Sequence, residues 1–313
     1  MIKPQIKTFP DFDMFSINHR DIFAQAQRNT KPSLSDITFN NLYGWHVFFN
    51  YKVSRFEELL FIHCQLENKL IVGQPIMLSA SASYTQQFAS LCSFLRAYQK
   101  ENGLEVVFKN ISQVCLKNIN VSGLRALSTL DSFDYVYSLS DLCELKGEKF
   151  SPKRNLIKQF QKKYSYNYEP LSSTNIASAI EFAKTISTST AANTKDMKLY
   201  CIACILLESY DALELYGGLI FIDNKVCALT IASIERQFEY SDGIFPTAVV
   251  HTENADHSYK GIYQALNNFF VSSLPKDIVF VNREEDMGIS GLRKAKQSYQ
   301  PARFVEKTEL TLL

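Results

Sequence analysis

Apolar positions along the chain change their period several times, and each change marks an element. Residues 59–78, "LLFIHCQLENKLIVGQPIML", form two apolar runs on either side of Glu67 and Asn68; short runs of this kind around turn-forming residues predict a buried β-hairpin. In "YTQQFASLCSFLRAYQKENG", Phe88, Leu91, Cys92, Leu95 and Tyr98 recur at intervals of three and four, which predicts a helix with one apolar face that ends at Gly103. A strand at "LEVVFKN", a helix near "ISQVCLKN" and a strand near "FDYVYSL" follow.

The same order then returns. "LELYGGLIFIDNKVCALTIASI" predicts a hairpin whose turn residues, Asp223 and Asn224, tolerate the left-handed conformation. After it come a strand near "TAVVHTE", a helix over "YKGIYQALNNFFVSSL" with Ile262, Leu266, Phe269 and Phe270 on one face, and the strand "DIVFVN". A helix over "SGLRKAKQSY" and a final strand over "RFVEKTELTLL" complete the half, and "FPDFDMFSINHRDIFAQAQ" and "NIASAIEFAKTIS" read as helices that precede the two halves. The repeated order predicts an α/β protein of two similar units, each a mixed sheet flanked by helices. The expected division is an N-terminal unit over 1–140, a basic connecting helix over 141–170 and a C-terminal unit over 171–313. The charged motifs gather in the last of these, so the first is expected to act as a scaffold.

Composition narrows the setting. Hydrophobic residues make up 46% of the 313 positions, with 23 Phe and 16 Tyr, enough to build packed cores. A formal charge of +1 provides no global attraction to nucleic acid or anionic lipid, so any such contact needs a local patch. The seven cysteines are scattered through apolar runs and read as reduced thiols. Cys201 and Cys204, in "LYCIACILLESY", have no second pair or histidine cluster nearby, so they read as helix packing and no metal site is expected. No run approaches the roughly 18 apolar residues of a membrane span, and the N-terminus lacks a signal core. The expected location is the cytoplasm, with contact to the inner face of the membrane confined to its surface.

Three stretches carry candidate chemistry. From Lys146 to Lys163 there are seven Lys and Arg residues, and Lys153 and Arg154 follow Pro152 at a helix start, where free amides favour anions. This is either a phosphate-contacting ridge or a solvated basic face. In "VVHTENAD", His251 and Glu253 close a strand and can face a cleft. In "FVNREEDMGISGLRKAKQSYQP", Asn282, Arg283, Glu284, Glu285 and Asp286 emerge at the carboxyl end of a strand, where open α/β sheets hold ligands. Ser290 is placed to cap the next helix, which carries Arg293, Lys294 and Lys296; Arg293 and Lys296 share a side suited to a phosphate. The carboxylates can pair with these bases, position an amino group or serve as a general base. The alternative is a salt-bridged turn with a solvated helix face. Trp45 and His46 read as core residues.

The strings "YVYSLSDLCELKGEKFSPKRNLIKQF", "GGLIFIDNKVCALTIAS", "HTENADHSYKGIYQALNNFF" and "VNREEDMGISGLRKAKQSYQP" together resemble the phosphatidylglycerol lysyltransferase C-terminal domain family, and "LSDITFNNLYGWH" resembles its opening segment. The resemblance implies two tandem acetyltransferase-like (GNAT) domains. It also implies transfer of an amino acid from aminoacyl-tRNA, the donor substrate, to a phosphatidylglycerol-like lipid or small amphipathic acceptor, with no tightly bound cofactor. tRNA and an anionic lipid at the membrane surface are the implied partners. The best-understood relatives also carry a membrane flippase, and this sequence is expected to be a member without one. Where the family usually has lysine, this chain has Asn254.

A GNAT loop for coenzyme A has the form Gln/Arg-x-x-Gly-x-Gly/Ala. Here the place reads "SYKGIY", with Ser258 first, Lys260 and Gly261 in the middle and a bulky Tyr263 last, which disfavours coenzyme A. Gly261 is equally explained by packing. Tyr299 stands where GNAT enzymes often place a proton donor, and core packing explains it as well. Two further readings stay open: a coenzyme A-dependent N-acyltransferase, and a catalytically silent tandem module that binds an anionic partner through the basic ridge.

Overall fold

Residues 6–189 and 202–313 are described by the computed structural model. The expected hairpins form where the turn chemistry placed them. Strands β3 (Leu59–Leu66) and β4 (Lys69–Gly73) pair through Leu66 and Lys69, with Glu67 at φ +54°. Strands β10 (Tyr216–Ile222) and β11 (Lys225–Tyr240) meet at Asp223 and Asn224, both left-handed. The helix Tyr84–Asn102 starts at Ser83, whose hydroxyl accepts from the Gln86 amide, and stops at left-handed Gly103.

Among the described residues, fifteen strands form two mixed sheets. The first runs β1 (Asp13–Met14), β2 (Lys52–Phe56), β3, β4, β6 (Glu105–Ser112), β15 (Lys307–Leu312), β7 (Leu124–Ser128), with β5 (Ile76–Met77) paired to β3. The second runs β14 (Arg303–Val305), β8 (Asp134–Ser138), β13 (Phe280–Asn282), β12 (Gly243–Ala255), β11, β10, β9 (Tyr166–Pro170). Each sheet has one parallel pair, β4 with β6 and β12 with β13. Helices Arg20–Asn29, Phe39–Phe49 and Ile176–Ser189 flank the sheets, together with Ser151–Lys163, Ile262–Ser273 and Ser290–Gln297.

The halves exchange strands, which corrects the simple division at residue 140. β8, expected in the first unit, sits between β14 and β13 of the second sheet. The final segment, expected as one strand of the second unit, splits at Glu306: β14 stays in the second sheet and β15 crosses to the first. The connecting segment also departs from a plain helix, because β9 pairs with β10 as the edge of the second sheet.

Packing follows the same logic. One apolar core holds Phe15, Phe23, Val53 and Leu60 from the first half with Leu219, Leu229, Val249 and Phe280 from the second. Each such fully buried side chain contributes roughly 1.5–3 kcal/mol, so separating the halves would forfeit a large part of the stability. Among the described residues no cysteine is in a disulfide, and Cys204 packs against this core; Cys201 lies outside the described residues. No described helix is long and apolar enough to cross a membrane.

Candidate active site

A cleft of about 490 Å³ lies beyond the carboxyl ends of the parallel strands β12 and β13. β12 contributes His251, Glu253 and Asn254; the turn after β13 contributes Arg283, Glu284 and Glu285; Lys153, Lys296, Tyr299 and Trp45 close it. Seven of the sequence-predicted site residues on β12, in the charged turn and in or just after its helix thus reach one cavity, joined by Lys153 from the basic segment. Trp45, expected in the core, is half-buried and forms part of the wall.

Arg283 is the centre of one side. Its Nη2 pairs with Glu253 Oε2, and Asn267 donates to Glu253 Oε1 at 3.0 Å. The guanidinium lies 5.0 Å from the ring centre of Tyr299 and 5.7 Å from that of Tyr137. Its buried Nε and Nη1 have no protein hydrogen-bond partner among the described residues, which is costly unless a ligand or water completes them. Lys153 Nζ sits 4.1 Å over the Tyr299 ring and donates to Ser298 Oγ at 2.6 Å. Burial first, and then the Arg283 charge, push the Lys153 ammonium down to about 8. Burial raises the Tyr299 phenol well above its ordinary range, so it keeps its proton at neutral pH.

Glu284 forms the other side. Its Oε1 accepts from Asn41 Nδ2 at 2.8 Å and lies 2.9 Å from His251 Nδ1. The second ring nitrogen of His251 is held by Ser233 Oγ at 3.0 Å, so the buried imidazole is fully engaged and orients Glu284. Asn282 accepts from the Glu284 amide at 2.8 Å and fixes its left-handed backbone, φ +55°. Glu284 Oε2 has no protein hydrogen-bond partner among the described residues, which leaves an oriented carboxylate oxygen on a group that lines the cleft.

Several expected ligand contacts are occupied by the protein itself. All three donors of Lys296 Nζ go to backbone carbonyls, those of Arg283, Glu284 and Glu285, at 2.5, 3.1 and 2.6 Å. The residue is a strut that holds the charged turn, and burial followed by the Arg283 charge lowers its ammonium to about 8. Arg293 grips Asp286 through Nε at 2.7 Å and Nη2 at 2.8 Å, and also pairs with Asp131. Against burial, these bonds and those from Tyr135 and the Gly288 amide hold the Asp286 carboxyl below its ordinary value. Arg154 donates to the carbonyls of Leu145 and Gly147. Lys260 and Lys294 are exposed, and neither lines the cleft. Ser290 is the first helical residue; Ile289 holds the cap position and no side chain caps the helix. Gly261 has φ +88°, and a Cβ there would lie 2.5 Å from the Leu156 carbonyl oxygen, so helix packing demands the glycine.

One buried charged cluster escaped the sequence. Lys307, nearly fully buried on β15, pairs with Asp36, with Asp134 Oδ1 at 2.6 Å and with Glu285 Oε2 at 3.0 Å. The three carboxylates bring oxygens within 4.8 Å of one another, a spacing suited to a cation, and the lysine ammonium supplies that charge. A lysine within "EKTELTLL" gave no local sign of this, since its partners lie far away in sequence.

Residues 27–307 match the model of the family described as phosphatidylglycerol lysyltransferase, C-terminal. Among solved structures, a conserved protein of unknown function from Bacteroides thetaiotaomicron VPI-5482 is similar over 96% of this chain and 99% of its own, at 25% identity and TM-score 0.80. L-PGS from Bacillus licheniformis is similar over 98% of this chain and 93% of its own, at 14% identity and TM-score 0.62. FemX is similar over 97% of each chain at 8% identity and TM-score 0.58. The last two likenesses show the fold alone, two mixed sheets flanked by helices. No curated protein matches the chain.

Proposed function

Since the chain belongs to the phosphatidylglycerol lysyltransferase C-terminal family, we propose that it is an aminoacyl-tRNA-dependent acyltransferase that moves an amino acid onto the hydroxyl or amine of a lipid or small amphipathic acceptor. The observation that carries the reading is the cleft in which an oriented carboxylate, Glu284, shares walls with the cations Arg283 and Lys153.

The chemistry needs a proton acceptor, positive charge for the developing oxyanion and a held donor. Glu284 takes the proton of the acceptor as its oxygen or nitrogen attacks the aminoacyl ester carbonyl. Lys153, with Arg283 behind it, faces the negative charge of the tetrahedral stage and the 3′ end of the tRNA. The ester bond to the ribose then breaks, and the proton returns to the ribose oxygen as the tRNA leaves. His251 and Asn41 are positioning residues for Glu284, and Lys296 and Asn282 hold the backbone that carries it. Charged tRNA is a cytoplasmic molecule, so this reading puts the reaction there, with the membrane approached from its inner surface.

Support for tRNA over coenzyme A comes from the loop before the Ile262–Ser273 helix. Its one glycine is spent on contact with Leu156, and the last position of the motif holds the bulky Tyr263 where a coenzyme A loop has glycine or alanine. Incubation with labelled charged tRNA or with labelled acetyl-coenzyme A, total bacterial lipid being present in both, separates the donors. Transfer from tRNA is expected; transfer from coenzyme A alone would overturn the reading.

A further inference from the structure

Beside the polar cleft lies a second cavity, of about 280 Å³, lined mainly by the first half. Its walls are chiefly apolar, with Leu42, Phe49, Tyr51 and Ile71 among them. The two cavities share Trp45, Glu285 and Met287, so the chamber adjoins the cleft at the charged turn. Polar residues Asp36, Asn41 and Glu285 line the chamber as well, and all three belong to the network around Glu284 and Lys307. A molecule with its apolar group in the chamber and its polar end at the shared turn would have that end beside the oriented carboxylate.

Volume limits what fits. An apolar cavity of about 150 Å³ holds one benzene ring, so the chamber has room for about 12 carbon atoms. That suits one chain or one ring system and falls far short of the paired chains of a membrane phospholipid. We propose that the chamber binds the single apolar group of the acceptor, which makes the acceptor a one-chain amphiphile with its hydroxyl or amine at the opposite end. The word acceptor rests on the acyl-transfer reading above; occupancy of the chamber does not, and it is measured without tRNA.

Trp45 is the only tryptophan in the chain and stands where chamber and cleft meet, so its fluorescence reports binding directly. 2-Bromoalkan-1-ols of increasing length, whose bromine sits beside the hydroxyl and hence at the junction where Trp45 stands, are the probes; bromine quenches indole emission on contact. Quenching should saturate, with affinity rising about fourfold per methylene and levelling off near 12 carbons. Ile71→Phe narrows the chamber without touching the cleft and should weaken the longer chains by about tenfold or more. The length series on the unaltered protein decides the matter even if that variant folds poorly. No quenching at any length, affinity that climbs without a plateau, or equal quenching by vesicles of brominated two-chain phosphatidylglycerol would overturn the proposal. Saturable quenching with a plateau in a protein that aminoacylates nothing would keep the chamber and remove the transfer reading.

Discussion

The ammonium of Lys307 lies 2.6 Å from Asp134 Oδ1, and this pair joins β15 of the first sheet to β8 of the second. Asp36 and Glu285 complete the cluster, and Glu285 also lines both cavities. The seam between the halves and the wall of the cleft are therefore one electrostatic unit. Its members come from the two strands that the halves exchange and from the segments that pack on them.

Removing the cation would leave three carboxylates without their counter-charge. Breaking a buried ion pair from one side costs about 3–5 kcal/mol. Lys307→Met should lower the urea midpoint by a corresponding amount, and Lys307→Met with Asp134→Asn should recover part of the loss. A midpoint unchanged in the single variant would mean that the cluster does not hold the halves together.

One lysine cannot neutralise three carboxylates, and Asp36 bears the consequence. Burial above all, against the pull of Lys307, pushes its carboxyl from 3.8 up to about 7. A raised carboxyl favours the folded state when protonated, so its contribution is complete below the unfolded value and is lost as pH rises through about 7. Urea midpoints should fall between about pH 4 and about pH 7, by an amount on the order of a few kcal/mol at most. In Asp36→Asn, which mimics the protonated carboxyl, this part of the slope should vanish; the same slope in both proteins would assign it to another group.

Lys153 titrates near the working range, at about 8. It is cationic below that value and neutral above it, so affinity for charged tRNA should fall as pH rises through about 8. Lys153→Arg keeps its charge to far higher pH and should move the fall upward. Binding curves at several pH values check this, and superimposable profiles would remove Lys153 from the donor site.

Gly261→Ala separates packing from anion binding. With φ +88° and a Cβ forced to 2.5 Å from a carbonyl oxygen, the variant should lose at least about 1–3 kcal/mol of stability. Its affinity for tRNA, measured on the folded fraction, should not change. Lost affinity at full stability would instead make this loop a phosphate cradle.

Much of the fold is local in origin and was legible. Asp223 and Asn224 mark their hairpin because a tight turn needs left-handed residues, and the 84–102 helix announces itself through one apolar face and Gly103. The exchange of β8 and β15 was not legible, since strand pairing across more than about 140 residues leaves no periodic trace. β7 was missed because four of its five residues are exposed, so no alternation marks it.

The charged turn was found by its placement after a strand, but its bases were misjudged. Arg293 and Lys296 look free in sequence, yet their partners, Asp286 and the 283–285 carbonyls, fold back from the same turn. The alternative of a salt-bridged turn describes Arg293, whereas Lys296 is buried and bonded to backbone carbonyls, which fits neither reading; the proposed function assigns the ligand to Arg283 and Glu284.

The measurement that bears most directly on the account is transfer itself. Purified protein is incubated with tRNA charged with labelled amino acids and with one-chain and two-chain acceptors, and label is then separated among tRNA, lipid and small molecules. The account predicts label on an acceptor, and a Glu284→Gln variant that binds tRNA normally but transfers about 10²–10⁴ times more slowly. Label that stays on tRNA with every acceptor, or a Glu284→Gln variant as fast as the unaltered protein, would contradict it.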